Sequence, residues 1–303
     1  MRATALALLT LFLSWLAGCD GGREQPAEKP ATSADLPADA VEAARRIIDA
    51  ARSDERALAR LEALCDGIGH RHAGSPGLDA AISWALDELR QDGLDKVALE
   101  KVMVSVWERG EESLEMLSPG LPRRLAVLGL GRSVGTPAAG ITAPVLVVPD
   151  FETLDRIGAE AAGKIVLYNF PMKTMENMFQ AYGEAVQYRA RAAEHASRHG
   201  ALAALIRSVT TRSLRTPHTG AMKRYGDDMR PIPAAAISVE DAELLHRLQN
   251  RGERPLLRLF MGARTLPDQP SANVVAELRG RERPEQIVVI GGHLDTWDVG
   301  SGA

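Results

Sequence analysis

Residues 287–303 read IVVIGGHLDTWDVGSGA. Ile287–Ile290 is four apolar residues, the pattern of a strand covered on both faces. Gly291 and Gly292 end it tightly. A strand over 287–291 would put His293 and Asp295 just past its carboxyl end, where open α/β sheets place their sites. A neutral imidazole suits zinc. A carboxylate two residues on can orient that imidazole from behind. Asp298, among glycines, could bind metal or cap a turn. A bare His-x-Asp is also the ordinary polar end of a strand, so the flanking sequence has to decide.

Working outward, strands are expected at 97–106, 125–130, 145–148, 164–170, 201–206, 234–237, 256–260 and 273–278. A helix is expected over 182–199, with Tyr182, Val186, Ala190, Ala193 and Ala196 on one face. Ser238 with Asp241 three residues on predicts a capping box. Ser75-Pro76 predicts an N-cap and first helical position. The helix they open carries Leu78, Ile82, Ala85, Leu86 and Leu89 on one side, and Asp92-Gly93 closes it. Further upstream, Pro37 opens a helix with the stripe Val41, Ala44, Ile48 and Ala51. The next turns Leu58, Leu61 and Leu64 inward and ends at Gly67 and Gly69. Many short strands over 118–265 suggest a β-rich module inserted in an α/β frame.

The flanks of the motif decide for a metal site. GGHLDTWDVGSGA closely resembles the first metal motif of the co-catalytic zinc exopeptidases, in their carboxypeptidase Q (plasma glutamate carboxypeptidase) branch. CDGIGHRHAGSPGLDAAISWALDELRQDGL, from Cys65, resembles that branch's amino-terminal helix pair. VMVSVWERGEESLEML, from Val102, resembles the strand into its insertion. AALIRSVTTRSLRTPHTG and IPAAAISVEDAELL resemble its protease-associated (PA) insertion, and SANVVAELRG the return to the core. The resemblance covers about residues 40–303.

It implies an αβα-sandwich peptidase, incomplete here, with an inserted β-rich PA domain. His293 matches the first zinc ligand, and Asp295 the catalytic carboxylate that supports the site. Two Zn2+ are expected in the complete enzyme. The bridging Asp, the Glu general base and the last His come from later segments in the family, so residues 1–303 carry one ligand. The sequence thus reads as an amino-terminal part of the enzyme, inactive by itself. Expected substrates are dipeptides or short peptides, and relatives suggest a homodimer. The loop of His70 and His72 lies in the peptidase half, where substrate contact is conceivable. The alternative is a non-catalytic lipoprotein whose PA module binds peptides or partners.

The amino terminus reads MRATALALLTLFLSWLAGC. One Arg, then an apolar run too short for a membrane span, then Leu-Ala-Gly-Cys, resembles a bacterial lipoprotein signal with Cys19 as lipidation site. The expected layout is a signal peptide over 1–18, a tether over 19–36 and peptidase sequence over 37–117. A PA-type insertion over 118–268 and the start of the core sheet over 269–303 follow. The expected location is the bacterial envelope, lipid-anchored on the periplasmic side. Cys65 is the only cysteine besides Cys19, so a disulfide scaffold is excluded. A net charge of −4 leaves no footprint for nucleic acid.

Three weaker patterns fit plainer roles. His195 and His199 stand at i,i+4, but Ala196 holds the position where zinc proteases need Glu, and a helix end favours His anyway. AGSPG around Ser75 lacks the first glycine of a nucleophile elbow. GLGRSVG at 129–135 has the wrong glycine spacing for a dinucleotide loop.

Overall fold

The computed structural model describes residues 37–212 and 214–302. Cys19 and the expected signal peptide and tether lie outside the described residues. The chain divides into two compact units, one ending at Leu58 and one beginning at Ala59.

In the first unit, α1 (Ala38–Ser53) starts directly after Pro37. None of its side chains is buried, so the expected Val41–Ala51 stripe has no cover. The helix α2 (Arg56–Glu62) begins as this unit ends, and its remainder and the π-helical turn that continues it, Ala63–Ile68, belong to the second unit. Leu58 and Leu61, expected inward, are exposed.

In the second unit, α3 (Pro76–Gln91) is capped as expected: Ser75 Oγ accepts from Leu78 N at 3.2 Å. Arg60 holds α3 through Glu88 and Asp92, both at 2.7 Å. The chain then enters β1 (Asp95–Glu108). A mixed sheet follows, made of β2 (Glu112–Ser118), β3 (Arg123–Leu125), β4 (Val127–Gly129) and β5 (Ile141–Val148). It continues after α4 (Phe151–Ile157) with β6 (Ile165–Tyr168). After α5 (Met178–Arg198) come β7 (Ala203–Arg207) and β8 (Ala234–Ile237). After α6 (Val239–Asn250) comes β9 (Leu256–Met261). Finally β10 (Arg264–Glu277) returns antiparallel to β1, so this ribbon brackets the sheet. The strand order is β3-β2-β9-β5-β6-β7-β8-β4, with β5 to β8 parallel.

The parallel strands are apolar on both faces because both faces are covered. Ile165, Leu167, Ala203, Leu205, Ala235 and Ile237 face Ala242, Leu245 and Leu248 of α6. Their alternates Val166, Tyr168, Ala204, Ile206, Ala234 and Ala236 face Leu154 of α4 and the alanines of α5. The buried side chains of α5 are Ala181, Ala185, Tyr188, Ala192, Ala193 and Ala196, which include Ala193 and Ala196 of the expected face. Tyr182, expected on that face, is instead exposed and accepts from Arg189 Nη2 at 2.6 Å.

The expected strand at 287–291 does not form. Ile287–Ile290 makes no ladder, and its four side chains are 78–91% exposed. A strand that is apolar on both faces needs a partner edge and two covering layers. The described residues provide neither.

Candidate active-site cleft

Although 287–290 is unpaired, the segment after it is firmly docked. Arg71, buried between α2 and α3, is the anchor. Its Nε donates to Leu294 O at 2.9 Å, and its Nη2 to Gly302 O. Its Nη1 donates to Gly69 O at 2.6 Å, and its backbone exchanges two hydrogen bonds with Thr296. Arg109, at the end of β1, is the second anchor. Its Nε and Nη2 form a fork on the Asp298 carboxylate at 2.8 and 2.7 Å. The remaining Nη1 donates to Gly129 O. A buried guanidinium that sets two parallel donors on one carboxylate is the strong form of such pairs.

The glycines of 129–135 now have a physical reading. Gly129 N donates to Glu112 Oε2 at 2.8 Å while its carbonyl receives Arg109. A Cβ on Gly131 would stand 2.3 Å from the Trp297 ring. Gly131 lets Trp297 lie against backbone, whereas Gly129 and Gly135 make room for Glu112 and for the Met261 and Ala263 carbonyls.

Between these anchors lies a cleft of about 830 Å³. His72, Trp107, Val134 and Trp297 line it together with Arg132, Arg224, Asp268, His293 and Asp295. The His72 ring tilts against Trp107 and Trp297, with centroids 6.1 and 5.5 Å away. Burial, the largest influence, lowers the His72 pKa; Arg109 acts in the same direction and Asp298 against it. Burial tends to raise Asp298, but the Arg109 fork outweighs it and holds that carboxyl below its ordinary value. Glu112 is raised by burial, against the pull of Gly129 N–H and Arg109.

The sequence-expected residues separate as follows. His293 and Asp295 are brought together, with Nδ1 2.8 Å from Asp295 Oδ1. His293 is 91% exposed in its side chain. Its Nδ1–H donated to that carboxylate leaves the Nε2 lone pair outward, the tautomer a metal requires. His72 lines the cleft, whereas His70 is exposed and does not line it. Asp298 accepts the Arg109 fork with both oxygens. Arg71, Arg109, Trp107 and Trp297 went unread as site residues because their partners are 189 or more positions away, or because nothing local marks an aromatic lining. The Trp-Asp pair inside the motif was the only available signal.

Zinc takes three or four protein ligands in such sites. Among the described residues, no cluster of three metal-binding groups includes His293. The residues present therefore fit one arm of a zinc site and not a closed one, and no chemical step is derived through the metal.

No family model matches the chain. It is 48% identical to carboxypeptidase Q from Homo sapiens over 252 residues, 83% of this chain and 52% of that protein. The Xenopus laevis carboxypeptidase Q is 48% identical over 263 residues, 86% and 54% of the two chains. The chain thus spans about half the length of the curated relatives it matches. Among solved structures, a peptidase M28 precursor from Shewanella amazonensis SB2B superposes with a TM-score of 0.81 and 34% identity. The match covers 86% of this chain and 59% of that one. An aminopeptidase from Aneurinibacillus sp. strain AM-1 shares the fold at a TM-score of 0.53 and 18% identity.

Proposed function

This chain is a homologue of carboxypeptidase Q with an α/β peptidase fold, and from that premise we propose that it forms the part of a zinc-dependent exopeptidase bearing the first metal ligand and a PA-type domain. The observation that carries the reading is the His293–Asp295 pair, held at the mouth of an aromatic cleft with its Nε2 free. When bound, zinc would supply an activated water and a Lewis acid for amide hydrolysis. This chain's own residues do the rest of what is assigned here. His293 provides one ligand, and Asp295 fixes its tautomer. Arg71 and Arg109 hold the ligand segment, and the PA-type domain walls the cleft.

The substrates in this reading are dipeptides and short peptides with a free amino terminus. A cleft of about 830 Å³ is within the size of small-ligand sites, roughly 300–1,000 Å³. Trp107 and Trp297 offer apolar contact, while Asp268 and the pair Arg132 and Arg224 offer opposite charges for peptide termini. With one ligand in hand, residues 1–303 by themselves are expected not to hydrolyse peptides. Lipidation at Cys19, attachment to the periplasmic side of a bacterial membrane, and a homodimer belong to the same proposal. The first two rest on the Leu-Ala-Gly-Cys sequence and the third on relatives. Among the described residues no helix is long and apolar enough to cross a membrane.

The test is a graft. Residues 37–303 replace the matching half of human carboxypeptidase Q, and dipeptides with free or acetylated amino termini are offered. Hydrolysis of free dipeptides that is abolished by chelation and restored by Zn2+ is expected. Chelator-insensitive hydrolysis by the folded graft would contradict the zinc reading, and preference for acetylated peptides would contradict recognition of a free amino terminus.

A further inference from the structure

On the far side of the eight-stranded sheet, three side chains that the cleft does not use converge. Asp155 comes from α4, His195 from α5, and His199 from the residue that ends α5. His195 Nε2 lies 3.1 Å from Asp155 Oδ1, and His199 Nε2 lies 2.9 Å from the same oxygen. One ligand atom from each of the three groups lies within 4.8 Å of the others. From these positions we propose a second, independent metal site, in which Asp155, His195 and His199 hold a zinc-class divalent cation that clips α4 to the end of α5.

Ligand separations support it. At zinc–ligand distances of about 2.0–2.2 Å, tetrahedral geometry places neighbouring ligand atoms about 3.3–3.5 Å apart. The two N···O contacts need to open by only a few tenths of an ångström to reach that. Two imidazoles and one carboxylate are the donor set of open zinc sites, with water as fourth ligand. They suit zinc better than calcium or magnesium, which prefer oxygen alone.

The surroundings are built around both rings. Tyr168 Oη lies 2.9 Å from His195 Nδ1. Accepting that N–H would leave the His195 Nε2 lone pair for the metal, the usual outer support of a ligating histidine. Phe151 packs on His195 with centroids 4.6 Å apart, fixing the ring plane. Gly158 clears the seat of His199: a Cβ there would stand 2.7 Å from Nδ1. Both histidine side chains are mostly buried, while Asp155 opens to solvent and gives the ion an entry path.

The test uses untagged chain 1–303 carrying His293→Ala, so that the ligand assigned to the peptidase site is absent. Zn2+ titration by calorimetry is compared with the same chain carrying His199→Gln or Asp155→Asn. One equivalent of Zn2+ is expected, weakened at least tenfold by each substitution, with Mg2+ and Ca2+ giving no comparable heat. X-ray absorption of the zinc-loaded His293→Ala chain is expected to show two imidazole nitrogens and needs no further variant. Zinc uptake unchanged by both substitutions, fewer than two imidazoles on the ion, or no uptake at all would overturn the site.

Discussion

Replacing Arg109 by Met would leave the Asp298 carboxylate, Glu112 and the Gly129 carbonyl without their guanidinium. Breaking one side of a buried pair costs about 3–5 kcal/mol, and the lower end applies because Asp298 is 31% exposed. Urea denaturation is expected to show a loss of about 3 kcal/mol, and amide exchange over 294–302 to rise. Gly131→Ala is expected to cost about 1–3 kcal/mol by forcing Trp297 aside. In a Trp297→Ala background that cost should vanish, which a double-mutant cycle reads directly. His72 sets a pH dependence. Its folded pKa is below the unfolded value of about 6.5, so acidification protonates the unfolded chain first. Stability is therefore expected to fall as pH drops below about 6.5, and His72→Gln should flatten that limb of the melting-temperature profile. The Asp298 contribution is present above the ordinary carboxylate value and is lost only as pH falls through its lower folded value. At this scale His293 and Asp295 were legible in the sequence, since two residues of spacing bring them together. Arg71 and Arg109 were not, since a pair across 189 or 231 positions leaves no local trace.

Among the elements, α6 shows how a half-read motif is completed by tertiary structure. Ser238 Oγ accepts from Asp241 N at 3.1 Å, as a capping box requires. The Asp241 carboxylate does not turn back to Ser238, however. It accepts from Ala126 N at 2.7 Å, holding the link between β3 and β4 against the helix. Ser238→Ala is expected to cost about 1 kcal/mol, an ordinary cap. Asp241→Ala should cost more, about 1–3 kcal/mol, because it orphans a backbone N–H across the sheet; equilibrium melts of both variants decide the order. The strands from β5 to β8 were legible because apolar runs meet apolar neighbours. Ile287–Ile290 carries the same pattern and stays unpaired. Local sequence records a readiness to pair, and the ladder itself depends on an edge that the sequence of the segment does not contain.

For the whole molecule, that unpaired run is an exposed apolar patch of Ile287, Val288, Val289 and Ile290. Such a patch with open backbone groups favours association. Light scattering of chain 1–303 is expected to show concentration-dependent self-association that Val289→Lys reduces. The α/β class and the order of elements were readable in advance because each strand and helix has its own period. What was not readable is that the loop of His72 and the segment 131–134 after β4 wall one cleft, with Arg109 tying Asp298 to Gly129 beside it. The central claim is that His293 is a metal ligand of a peptidase site. It is tested most directly by dipeptide hydrolysis and zinc content of the grafted enzyme with and without His293→Ala. Activity is expected to fall at least a hundredfold, with bound zinc lost alongside it. Unchanged hydrolysis and zinc content in the folded His293→Ala graft would contradict it.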